Sequence, residues 1–286
     1  MSVKVLDRRA SEVLFNFETE KRLEQLGEEK SFEYQTADPF PHIIIDNFLP
    51  VEPLESALRD FPTPRGMRWI DYDGEHERKL EYNSAEHLPI SLRSVLYFLN
   101  SPILLSFLET LTGIRGLISD PYFIGGGLHQ SQRDGFLNIH ADFNRLPKLN
   151  LDRRLNLIIY MNKDWREEYG GHLELWDSKM KECVKKVLPV FNRCVIFSTT
   201  DISFHGHPIP LNCPEDQTRK SIATYYYTNG RPAEEVTNNH STLFQKTPGA
   251  PPPSRRFTRK AKKIALSLTP PILLDAYYKL REPNNK

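Results

Sequence analysis

Hydrophobic and polar positions change period three times along the chain. Residues 1–38 are charged, with weak helical periodicity from about Leu14 to Leu26. His42-Ile-Ile-Ile-Asp46 then predicts a short buried strand, bounded by Pro41 and the turn at Phe48-Leu-Pro50. Leu54, Leu58 and Phe61 share one face of a following helix, and residues 62–82 are polar and irregular. A helical pair is expected over about 90–112. Its second member starts at Ser101-Pro102, an N-cap followed by a proline in the first turn, and stops at Gly113. From about 117 the pattern turns to strands, at 117–124, 128–131, 136–141, 155–161, 172–177, 184–190, 193–198 and 219–227. Gly125-Gly-Gly127 and Gly170-Gly171 punctuate them. Short strands at this spacing predict a mainly β domain, an antiparallel sandwich or barrel with flanking helices, whose mouth can hold a small ligand.

After Pro232 the texture changes again. Residues 246–254 are proline-rich and predict an extended linker. Six basic side chains follow within 255–263, and then an apolar set from Ile264 to Leu280, interrupted by Pro270-Pro271. A basic tail with an apolar face can touch anionic lipid or dock as a helix on the barrel. The expected organisation is an N-terminal charged extension (1–38), a central domain (39–232, with its β core at about 117–230) and a C-terminal linker and tail (233–286).

Composition narrows the classes. Hydrophobic residues make up 39% of the 286, which fits one sizeable core with additions. Basic and acidic side chains nearly balance, 38 against 37, so no overall charge draws the chain to nucleic acid. The three cysteines, Cys183, Cys194 and Cys213, match no zinc spacing and predict no disulfide framework. The opening residues have no apolar signal core, and no run approaches the length of a bilayer span. A cytoplasmic protein is expected, with the tail as its one candidate membrane contact.

The candidate chemistry lies in the β region. Asn138-Ile-His140-Ala-Asp142 ends a predicted strand, and period two points His140 and Asp142 the same way. Such a pair can grip one metal from one strand end. Ser203-Phe-His205-Gly-His207, just after the strand at Cys194, supplies a third ligand in His205. Two imidazoles and one carboxylate suit Fe(II) and leave coordination positions open for a bidentate keto acid and for O2, which a closed four-ligand zinc site does not. Arg219, Ser221, Ala223 and Tyr225 share one face of a later strand. The guanidinium of Arg219 is a natural clamp for a carboxylate. His129 and His207 are further pocket candidates. Trp165 and Trp176 are expected in the core. The triple glycine lacks a following helix start, so it predicts a tight bend rather than a nucleotide loop.

These motifs, with Arg154-Leu-Asn-Leu-Ile-Ile-Tyr160-Met-Asn-Lys-Asp-Trp165, Gly170-Gly-His-Leu173 and Asn192-Arg193, resemble the 2-oxoglutarate/Fe(II) oxygenase superfamily from about 121 to 230. The prolyl 4-hydroxylase-like branch is the most similar. The resemblance implies a double-stranded β-helix, or jelly roll, with helices on one side. It implies Fe(II), 2-oxoglutarate and O2, with ascorbate as a candidate reductant. By position, Arg219 would bind the distal carboxylate of 2-oxoglutarate, Tyr160 would hydrogen-bond it, and Leu173 and Ser221 would line its pocket. Two departures stand out. Pro210-Leu-Asn-Cys-Pro-Glu-Asp lengthens the gap between His205 and Arg219, and is expected as an insertion at the mouth. A tyrosine usual upstream of the His-x-Asp motif has no clear match, with His129 or Gln130 in its neighbourhood.

A hydroxylase releasing succinate and CO2 is therefore expected, since Asp142 occupies the position that halogenases of this superfamily leave without a carboxylate. Desaturation and ring formation need the same ligands. A non-catalytic jelly-roll scaffold and a metal-cupin using no keto acid are the competing classes. The substrate stays open among a protein prolyl residue, an amino acid, a saccharide and a lipid intermediate.

Overall fold

Period-two burial on the long strands builds the architecture. The computed structural model describes residues 12–247. Leu151–Tyr160 (β8) pairs with Cys194–Ser198 (β11) on one side and Arg219–Thr228 (β13) on the other, all antiparallel. Leu155, Leu157 and Ile159 of β8, Cys194 and Ile196 of β11 and Ile222 and Tyr226 of β13 point outward into one large core. The alternate residues point inward: Tyr160, Val195 and Phe197 form a second cluster with Leu173 and Leu175. Both faces are thus covered, which explains why these strands read as nearly continuous apolar runs.

Helices fill the outer core. Phe17–Gln35 (α1), Val51–Arg59 (α2), Ile90–Leu99 (α3) and Pro102–Thr112 (α4) supply Leu23, Leu54, Leu92, Val95, Leu96, Leu104, Phe107, Leu108 and Leu111 to it. The α4 signals hold as expected. Ser101 accepts from the Leu104 amide, and Gly113 ends the helix in the left-handed region at φ 75°. Gly27 of α1 allows close approach, because a Cβ there would lie 3.3 Å from Phe107. Together α3 and α4 are apolar enough to resemble a membrane span, but they are bent by 43°, and no single described helix is long and apolar enough to cross a bilayer.

The remaining strands are His42–Ile45 (β1), Ile70–Asp73 (β2), Glu77–Tyr82 (β3), Ile118–Ser119 (β4), Gly127–Ser131 (β5), Phe136–Ala141 (β6), Arg145–Leu146 (β7), Leu173–Trp176 (β9), Cys183–Val187 (β10), His205–His207 (β12) and Leu243–Phe244 (β14). The sheet runs β1-β11-β8-β13-β5-β3-β6-β12-β9-β10 and curls into a nearly closed jelly-roll barrel with helices on one side. This is the expected fold class.

Three stretches differ from expectation. Residues 62–69 are irregular as expected, but 70–82 are not: β2 and β3 form a hairpin, and β3 bridges β5 and β6. Glu77, Lys79 and Glu81 of β3 all line the interior cavity, so its inward face is charged and gives no apolar alternation. Residues 233–247 do not leave the domain at 232. They return across the barrel, where Leu243 and Phe244 pair with Ala141 and His140. The helix within 17–35 packs on α4, so that part of the N-terminal extension is continuous with the core. The basic tail expected over 255–286, and most of the proline-rich linker, fall outside the described residues.

The glycine bend at 125–127 is a close backbone approach. A Cβ on Gly127, at φ 90°, would lie 2.3 Å from the Tyr82 carbonyl oxygen of β3. Gly127→Ala is therefore expected to cost about 3 kcal/mol or more, adding backbone strain to a clash that only strand separation relieves. Urea unfolding checks this, and an unchanged midpoint would show that β3 yields freely.

Candidate metal centre

Sheet register assembles the centre. His205 of β12 is the direct cross-strand partner of His140 of β6, and Asp142 follows two residues on, just past the end of β6. His140 Nε2 lies 3.6 Å from Asp142 Oδ1, and His205 Nε2 lies 3.4 Å from Asp142 Oδ2. Each residue offers one ligand atom, and the three atoms fall within 4.8 Å of one another. All three side chains are buried.

The donors are oriented for a metal. His140 Nδ1 bonds the Asn138 carbonyl at 2.8 Å, and His205 Nδ1 bonds the Ser203 carbonyl at 2.9 Å. A carbonyl only accepts, so both Nδ1 atoms carry the proton and both Nε2 lone pairs face the centre. Burial, and then the neighbouring His140, push the His205 pKa down to about 4, so the ring is neutral. Burial raises Asp142, but the Arg153 guanidinium beside it outweighs that and holds the carboxyl well below the usual range. Two imidazoles and an ionised carboxylate, with Nε2 atoms aimed inward, fit a divalent metal with open positions.

Beside the triad lies a cavity of about 410 Å³. Arg219, Ser221, Ala223 and Tyr225 all line it, as the alternation on β13 predicts. Leu173 lines it too. Arg219 is buried, donating from Nε to the Gly171 carbonyl at 2.7 Å and from Nη2 to the Tyr160 hydroxyl at 3.2 Å. Burial lowers its pKa and Tyr160 opposes that shift. No carboxylate pairs with it among the described residues. Tyr160 is fully buried and does not line the cavity itself; it stands behind Arg219 with its hydroxyl at the guanidinium.

Other expectations resolve here. His129 lines the cavity, its Nε2 3.1 Å from the Gly125 carbonyl, whereas Gln130 turns away to Pro62 and Thr218. His207 also lines the cavity. Trp165 packs with Leu211 and Cys213, and Trp176 with Ile139, Ala141 and Phe204, both in core clusters. Asn192 and Arg193 are structural: Asn192 exchanges hydrogen bonds with the Leu49 backbone, and Arg193 pairs with Asp46. The loop at 210–216 is a correction. It contributes nothing to the cavity wall and instead packs Leu211 and Cys213 against Trp165, while Leu211 abuts Gly171 behind Arg219. Its apolar residues bury themselves at the clamp end rather than at a mouth.

Sequence reasoning missed Arg153 and Asn156. Arg153 Nη2 donates to Asp142 Oδ2 at 3.0 Å, and Asn156 Nδ2 donates to the same oxygen at 2.7 Å. A register shift between Tyr226 and Tyr227 of β13, opposite residues 153–155 of β8, turns both side chains inward although they are three apart. Thr242 and Phe244 of the returning segment were missed as well. Both line the cavity, and the Phe244 ring stacks on His76 and lies 5.5 Å from His140.

A jelly-roll barrel thus places a buried two-histidine, one-carboxylate set able to hold a metal in the same cavity as an arginine with no carboxylate partner among the described residues. Residues 126–227 match the sequence profile of the 2OG-Fe(II) oxygenase superfamily. A curated relative, mouse prolyl 3-hydroxylase OGFOD1, is 24% identical over 195 residues, which is 66% of this chain. The match spans only 33% of that relative's length. Among solved structures, a prolyl-4-hydroxylase from Pseudomonas putida aligns with TM-score 0.51 and 14% identity, covering 71% of this chain and 100% of the other. A prolyl hydroxylase from Trichoplax adhaerens, in complex with a hypoxia inducible factor peptide, aligns with TM-score 0.50 and 15% identity, covering 76% and 95%. At these identities the structural likeness speaks for the fold.

Proposed function

We propose that this chain hydroxylates an unactivated C–H bond, using Fe(II) and 2-oxoglutarate and releasing succinate and CO2, with a prolyl residue in a polypeptide as its first candidate substrate. The observation that carries the cosubstrate is Arg219: a buried guanidinium with no anionic partner among the described residues, in the same cavity as the triad. A buried cation needs a counter-charge, and the distal carboxylate of 2-oxoglutarate supplies it.

His140, Asp142 and His205 would hold the metal, each offering one ligand atom. Iron(II), when bound there, supplies dioxygen activation coupled to oxidative decarboxylation of the keto acid. Arg219 binds the distal carboxylate as a fork, with the Tyr160 hydroxyl beside it. Leu173 and Ile158 give the cosubstrate apolar walls, and burial of the ligand set limits water at the reacting atoms. The prolyl substrate is supported by the names of the relatives and rests on them alone.

Succinate release from 2-oxoglutarate by iron-loaded protein, screened over proline-containing peptides, amino acids and glycans, tests the reading. A peptide that raises turnover and gains one oxygen atom by mass is the expected result. Metal and 2-oxoglutarate binding without turnover on any pool would favour the scaffold class.

A further inference from the structure

We propose that Arg153 and Asn156 form a preorganised anion pocket that positions Asp142 as a one-oxygen metal ligand, and that this pocket outlasts the carboxylate that fills it. The proposal rests on the metal-centre reading above and deepens it. Arg153 Nη2 and Asn156 Nδ2 converge on Asp142 Oδ2, at 3.0 and 2.7 Å, leaving Oδ1 free of side-chain donors. Asp142 stays able to ligate because these two donors occupy only one of its oxygens.

The pocket does not depend on Asp142 for its shape. Arg153 Nε and Nη2 both donate to Asn156 Oδ1, at 3.0 and 2.7 Å, so guanidinium and amide fix each other. Thr199 adds a longer donor to the same Oδ1. The guanidinium also packs against two rings, 3.5 Å from the Tyr225 centroid and 4.4 Å from that of Phe143. Arg153 is 1% exposed, and among the described residues its one carboxylate partner is Asp142. The β-bulge that turns Arg153 inward belongs to the backbone and persists when Asp142 is replaced. Removing the carboxylate therefore leaves a buried cation, with its donors set, facing a gap of carboxylate size. A small monovalent anion is the chemical class that gap takes.

Mn(II) affinity, measured by equilibrium binding on full-length protein, reads the positioning role without turnover. Outer partners of metal ligands are worth about 10–100-fold in affinity. Arg153→Met is expected to weaken Mn(II) binding within that range. Asn156→Ala, which keeps the guanidinium, is expected to lose about ten-fold and decides the matter if Arg153→Met does not fold. Affinities within two-fold of wild type in folded variants would overturn the proposal while leaving the metal centre intact. A wild-type chain that binds no Mn(II) would overturn the underlying reading as well. The second arm uses Asp142→Ala with added formate. Formate is expected to restore part of the Mn(II) affinity in Asp142→Ala and none in Asp142→Ala/Asn156→Ala. Equal rescue of both, or of neither, would show that the pocket does not hold an anion by itself.

Discussion

Replacing Arg219 with alanine lowers 2-oxoglutarate affinity by roughly two to four decades and leaves Mn(II) uptake unchanged. The size follows from burial. Arg219 is 7% exposed, and the anion it would receive is expected to be buried with it. Removing one partner of a buried charge pair costs about 3–5 kcal/mol, because the other is left without compensation. The variant also strips the Gly171 carbonyl and the Tyr160 hydroxyl of their donor. The triad sits on β6 and β12, strands that Arg219 does not pair with, so the metal is unaffected. Arg219→Lys keeps the charge but loses the fork, since one ammonium cannot bond Gly171 and a planar carboxylate in the same geometry, and an intermediate loss is expected. Titration of Mn(II)-loaded protein with 2-oxoglutarate checks all three. Wild-type affinity in the alanine variant would show that the keto acid is held elsewhere.

How far the sequence spoke depended on which way charges face. β8, β11 and β13 were legible because both of their faces bury apolar side chains, so the runs stand out; β11 and β13 fall within a residue of expectation, while β8 begins at Leu151 rather than 155. The inward face of β13 was legible too, since Arg219, Ser221, Ala223 and Tyr225 keep strict period two until the bulge. The triad needed more than spacing: His-x-Asp gains meaning only from a third ligand and a clamp far along the chain. β3 was hidden because it turns Glu77, Lys79 and Glu81 into the cavity, reversing the polarity by which a strand is read. Arg153 was hidden for a related reason. Arg153-Arg154 looks like a solvated strand end, and only a bulge that no local pattern announces puts the first of them against Asp142. The segment 233–247 was read as a departing linker because only Leu243 and Phe244 of it form a strand, and much of the rest of its hold on the barrel is polar, Asn144 to Thr237 and Asn238, and His240 to Asp201.

Alanine at His140, Asp142 or His205 abolishes metal uptake and brings succinate release to background, but the three variants are not equivalent in stability. His140→Ala and His205→Ala remove rings whose Nδ1 atoms bond nearby carbonyls of their own strands or loop, so the fold loses little beyond packing. Asp142→Ala removes the one carboxylate that pairs with fully buried Arg153. That leaves an uncompensated cation in the core, and about 3–5 kcal/mol of stability is expected to go with it. Asp142→Asn separates the two effects. Its amide oxygen still accepts from Arg153 and Asn156, so much of the network survives, while the neutral amide is a poor ligand for a divalent metal. Asp142→Asn should therefore unfold in urea closer to wild type than Asp142→Ala does, and still bind no Mn(II). If instead both Asp142 variants are as stable as wild type, the Arg153 ion pair contributes nothing to the fold and its geometry serves the metal alone. If Asp142→Asn retains Mn(II), two histidines and an amide suffice, and the carboxylate is not the third ligand.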